Sequence, residues 1–127
     1  NDESTEALTS VAKANRLSPV DPFGYFYHSM TATAYLSAEL WDEALEFADQ
    51  SLQFNDRHTS TLRVKITALY RMGRLEEAQK ALDLLMRREP DFSVEDYARH
   101  HPAAINKTGQ HVVAALRGVE AARPAAI

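Results

Sequence analysis

The chain has 127 residues and 14.2 kDa, with 45% hydrophobic and 25% charged residues, the size and make-up of one globular domain. Lys+Arg 14 against Asp+Glu 18 leaves a net charge of −4, which offers no basic surface for nucleic acid. The absence of cysteine excludes disulfides, thiolate nucleophiles and thiolate metal sites. No apolar run approaches the roughly 18 residues of a spanning helix, and Asn1-Asp2-Glu3 is the reverse of a basic leader. A cytoplasmic, mostly helical domain is expected, with no membrane contact.

In chain order, Glu6-Ala7-Leu8 followed by Val11 and Ala14 reads as a helix over 5–18. Ser18-Pro19-Val20-Asp21-Pro22 is a connector, with Asp21 an N-cap and Pro22 the first helical residue. Tyr27, Met30, Ala34 and Tyr35 then recur at helical spacing, followed by Trp41, Leu45, Ala48 and Leu52. A second pair follows: Leu62, Ile66, Leu69 and Tyr70, then Leu75, Ala78, Leu82 and Leu85. Gly73 supplies the left-handed residue that ends the first helix of this pair. At the matching place in the first pair stands Glu39, so that turn must be made less comfortably or differently. Pro90 closes the second pair, Ser93-Val94-Glu95-Asp96 caps a short helix ending before Pro102, and a last helix follows Thr108. Val112, Val113, Leu116 and Val119 are available for one of its faces, and the tail from Ala122 frays.

The two pairs are copies of one unit. Trp41-Asp42-Glu43-Ala44-Leu45 returns as Leu75-Glu76-Glu77-Ala78-Gln79, with Ala44 and Ala78 34 residues apart. That offset is the period of the tetratricopeptide (TPR) helix–turn–helix repeat. On these residues the chain resembles the TPR family over about 25–91, with a partial unit before it. The resemblance implies an all-α array of antiparallel helix hairpins, an α-α superhelix. Its parts would be half a repeat over 5–18, repeats over 22–56 and 57–91, and a C-terminal helical cap over 93–122. The chain would then start inside a repeat of a longer protein. The segment Arg16-Leu17-Ser18-Pro19-Val20-Asp21-Pro22, the Gly73–Ala78 turn and Pro90-Asp91-Phe92 are similar to a narrower group. These are the C-terminal TPR regions of bacterial class III adenylate/guanylate cyclases and winged-helix transcriptional regulators.

TPR arrays bind partners in a concave groove lined by the first helix of each pair. By position the groove would present Phe26, Ser29, Thr33 and Ser37, then Ser60, Arg63, Thr67, Tyr70 and Arg71. Hydroxyls beside two arginines suit an extended peptide or an acidic side chain. The same residues would equally serve as a solvated helix face. Ser29 and Thr33 stand where the chaperone-tail clamp needs Lys and Asn, which disfavours chaperone tails.

The remaining chemistry is bland. His100 and His101 are adjacent and diverge by about 100° on a helix, and His111 lies beyond Pro102, so no metal or other cofactor is expected. No nucleophile turn or phosphate loop occurs, and the chain reads as non-enzymatic. Asn106-Lys107-Thr108 is a chance glycosylation sequon. Phe23, Tyr25, Phe26 and Tyr27 cannot all face one core, and Leu8, Val11 and Ala12 form an apolar edge, so a homodimer is a further expectation. The expected function is protein or peptide binding that regulates a larger signalling protein, the alternative being a self-association or spacer module.

Overall fold

The computed structural model describes residues 24–100 and 106–122, with side chains from 27 onward. Six helices follow one another, and no strand occurs among the described residues: α1 (Gly24–Ser37), α2 (Trp41–Phe54), α3 (Thr59–Arg71), α4 (Leu75–Arg88), α5 (Val94–His100) and α6 (Lys107–Ala121). The expected helix over 5–18, the Asp21-Pro22 cap, the apolar edge at Leu8, Val11 and Ala12, and His101 lie outside the described residues.

α1 pairs with α2, and α3 with α4, as antiparallel hairpins. The protein is thus all-α, with hairpin packing consistent with a TPR-like array. Each helix forms for a local reason. α4 is made of strong helix formers, with Glu76 and Glu77 in its first turn and Arg87 and Arg88 in its last, both complementing the helix dipole. It buries Ala78, Ala81, Leu82 and Leu85, a single stripe at helical spacing. α2 buries Ala44, Leu45, Ala48 and Ser51 in the same pattern. α3 is the central element: seven of its residues, from Thr61 to Leu69, are buried, because α1, α2, α4 and α6 all pack on it.

The hairpin turns are superimposable in their hydrogen bonds. Glu39 N–H donates to Leu36 C=O at 3.0 Å and Leu40 N–H to Tyr35 C=O at 3.0 Å. In the second hairpin Gly73 N–H donates to Tyr70 C=O at 3.1 Å and Arg74 N–H to Leu69 C=O at 2.9 Å. This double bond pattern needs a left-handed residue. Gly73 provides it at φ 76°, and Glu39 takes the same conformation at φ 61°. The first turn is therefore made the same way, by a residue poorly suited to it.

The later helices are capped by side chains. Ser93 Oγ accepts from Asp96 N–H at 3.2 Å, opening α5. Asn106 Oδ1 accepts from Gly109 N–H at 2.7 Å, opening α6. The sequon asparagine is thus an N-cap, and α6 begins one residue before Thr108.

One apolar cluster runs from Ala32 and Leu36 of α1 to Val112, Leu116 and Val119 of α6, and takes in Val94 of α5. Met30, expected on the core face of α1, is 44% exposed. It shares a stripe with Thr33 and Ser37, at i+3 and i+7, and none of the three belongs to the core.

Candidate functional site

Of the nine residues that the sequence proposes for a groove, four come together. Thr33 and Ser37 of α1 and Ser60 and Arg63 of α3 line one cleft of about 270 Å³. Leu36 and Val64 form its apolar floor. Its far wall comes from elements the groove reading did not include: Tyr97 of α5, and Asn106, Thr108, Gly109 and Val112 at the start of α6.

Arg63 is the charged residue in this lining, and its side chain is only 13% exposed. Its guanidinium lies 5.0 Å above the centre of the Tyr97 ring, a cation–π contact that fixes its plane. Nη2 donates to Ser60 Oγ at 3.0 Å, while Nη1 is 3.7 Å from Glu89 Oε1. A guanidinium has five N–H donors. One hydrogen bond and one long ion pair leave donors to spare on a largely desolvated cation, which favours a carboxylate or another anion. Arg63 and Tyr97 also border a second recess with Glu89, Asp96 and His100, so they form the partition between the two.

The other proposed residues are placed differently. Ser29 is buried in a hydroxyl network where α1, α2 and α3 meet. Thr61 Oγ1 donates to Ser29 Oγ at 2.9 Å, and lies 2.6 Å from His58 Nδ1 and 3.4 Å from Ser51 Oγ. With its single proton committed to Ser29, Thr61 accepts from His58, which therefore carries its proton on Nδ1. Burial, and after it the Arg63 charge, pushes His58 below the ordinary imidazole pKa. Thr67 is fully buried and donates to the Arg63 carbonyl of its own helix at 2.8 Å. Tyr70 packs against Gly118 of α6, and Arg71 is at the far end of α3, 5.0 Å over the Trp41 ring. The Phe26 side chain lies outside the described residues.

His111 meets the edge of Trp41, with ring centroids 5.4 Å apart. Among the described residues no three His, Asp or Glu side chains gather as a metal site would require. No described helix is long and apolar enough to cross a membrane. The fold and cleft define an all-α hairpin array with an arginine held in a recess of mixed apolar and hydroxyl lining. Comparisons with protein-family models, curated proteins and solved structures find no match for this chain.

Proposed function

We propose that this chain is a TPR-type, non-catalytic module that binds a protein or peptide partner through an acidic group placed in the α1/α3 cleft. The observation that carries this reading is Arg63, a nearly buried guanidinium with unspent donors among the hydroxyls of Thr33, Ser37 and Ser60. The repeat at an offset of 34 residues supports the TPR assignment. The resemblance to cyclase and regulator C-terminal regions supports a regulatory role in a larger bacterial signalling protein.

The test is a peptide array varied in acidic residues and C-terminal carboxylates, read against Arg63→Ala and Arg63→Lys. Bound peptides should lose at least tenfold in affinity with Arg63→Ala. Arg63→Lys should recover only part, since an ammonium lacks the planar fork. Acidic peptides that bind equally well to Arg63→Ala would overturn the reading.

Self-association is the second reading, favoured by Met30 and Phe54, large apolar side chains 44% and 55% exposed. It predicts a dimer mass in light scattering that Phe54→Glu converts to monomer.

A further inference from the structure

The position of α6 breaks the logic of the array. Between the two hairpins, α3, the first helix of the second, makes its main contact with α2, the second helix of the first. A helix continuing the array would by the same rule pack chiefly on α4. α6 instead packs chiefly on α3, less on α4, and reaches back to α1. It lies across the row of first helices, where the sequence places a partner.

Its contacts follow that row from end to end. Thr108 Oγ1 is 2.8 Å from Ser37 Oγ, and Lys107 Nζ is 3.1 Å from Glu39 Oε2. Farther along, Gly118 sits under Tyr70 so closely that a methyl group there would be 2.5 Å from the ring. The buried face of α6 is Val112, Ala115, Leu116 and Val119, at the i, i+3, i+4, i+7 spacing of a helix held in a groove. Ser37 and Tyr70, two of the residues assigned to partner binding, are therefore engaged by the chain's own helix.

α6 has little intrinsic helicity to hold it in place. Gly109 and Gly118 lie inside it, with Thr108, Val112, Val113 and Val119, all weak helix formers. Its ion pairs, Lys107–Glu39 and Arg117–Glu95, are both exposed and hold it weakly. Its first turn contains no acid, so from that side Arg63 has only neutral polar groups to meet, the Asn106 amide and the Thr108 hydroxyl.

We infer that the α1/α3 face is a helix-binding groove with α6 as its intramolecular occupant, and that the partner is an amphipathic helix that takes the seat of α6. The partner helix carries aliphatic residues at i, i+3, i+4 and i+7, a small residue under Tyr70, and an acid in its first turn for Arg63. The acid gives it a charge-assisted bond that α6 cannot make. This rests on the reading of the cleft as the partner surface.

A crosslink in the full-length chain tests it. The sequence has no cysteine, and the Ser37 and Thr108 hydroxyl oxygens are 2.8 Å apart, so Ser37→Cys with Thr108→Cys places two sulfurs close to the roughly 2.05 Å of a disulfide. The probe is a fluorescent peptide of residues 106–122 carrying Thr108→Asp, an acid at a first-turn position that lines the cleft with Arg63. It should bind the reduced protein, lose at least tenfold in affinity on oxidation, and recover on reduction. Gly118→Val in the protein, checked for helicity by circular dichroism, should raise peptide affinity by loosening α6. Equal affinity in oxidised and reduced forms overturns the proposal, as does no binding to the reduced protein. A crosslink between two chains overturns it too, by making a second copy the occupant. Gating that persists while Arg63→Ala leaves affinity unchanged keeps the groove and removes the acid-binding cleft. The opposite pattern, acidic peptides held by Arg63 in locked and unlocked forms alike, keeps the cleft and removes the groove.

Discussion

Leu62, Ile66, Leu69, Leu82 and Leu85 are all at most 1% exposed, and they make the second hairpin an aliphatic unit. At the matching positions, 34 residues earlier, stand His28, Ala32, Tyr35, Ala48 and Ser51. The first hairpin fills the same space with stacked rings and hydroxyls. Tyr35 stacks on Phe47 at 5.4 Å, His28 on Phe54 at 5.6 Å, and Ser51 joins the Thr61 network. The backbone plan survives this exchange of interiors because the turns and the small residues at Ala44 and Ala78, both fully buried, are kept. Helix proximity is set at those alanines, and the rest of each interface is filled by whatever packs.

The sharpest way to break the comparison is to make the second hairpin resemble the first. Leu82→Ala installs the residue found at Ala48 and should cost about 2–5 kcal/mol, measured by urea denaturation. Thr61→Val keeps shape but leaves His58 and Ser29 without their shared hydroxyl, and about 1–3 kcal/mol should be lost. That loss should appear in hydrogen exchange of α1 and α2 before α4. The turns give a smaller pair of opposite sign. Gly73→Ala should destabilise and Glu39→Gly should stabilise, each by about 1 kcal/mol, because the left-handed conformation is shared.

The smallest effect is a pH dependence, which near neutrality comes from the first hairpin and its junction with α3. Burial lowers the pKa of His28 and is the first cause of the lowered value of His58, against an ordinary value of 6.5. The unfolded chain then binds more protons below that value, so the contribution to stability is complete above about pH 6.5 and is lost as pH falls from there. Nuclear magnetic resonance titration should show both imidazoles protonating later than a free histidine during acidification. Glu39, Glu77 and Glu95, hydrogen-bonded by Lys107, Arg74 and Arg117, should titrate below ordinary glutamates in the same experiment.

The hairpins are legible in the sequence because their signals are local. The Gly73 turn, Pro90 and the Ser93 cap each act within a few residues of themselves, and the 34-residue offset is a repeat of such local patterns. The register of Glu39 against Gly73 is enough to mark an awkward turn. The candidate site was only half legible. Thr33, Ser37, Ser60 and Arg63 do share a cleft, whereas Ser29 and Thr67 carry the same small hydroxyls into the interior. A hydroxyl can satisfy itself on its own helix or on a neighbour, as Thr67 does on Arg63, so polarity at one position does not report exposure. Tyr97, Asn106 and Thr108 are not legible because the place of α5 is a tertiary choice, and so is the path of α6. Its valine stripe fixes which face is buried and says nothing of which helices bury it.

The hydroxyl junction of Ser29, Ser51, His58 and Thr61 has a thermal consequence. Exposing apolar surface raises the heat capacity of unfolding and exposing polar surface lowers it. A hairpin anchored by hydroxyls therefore has a flatter stability curve than one anchored by leucines. On cooling, the aliphatic second hairpin loses more of its driving force than the first.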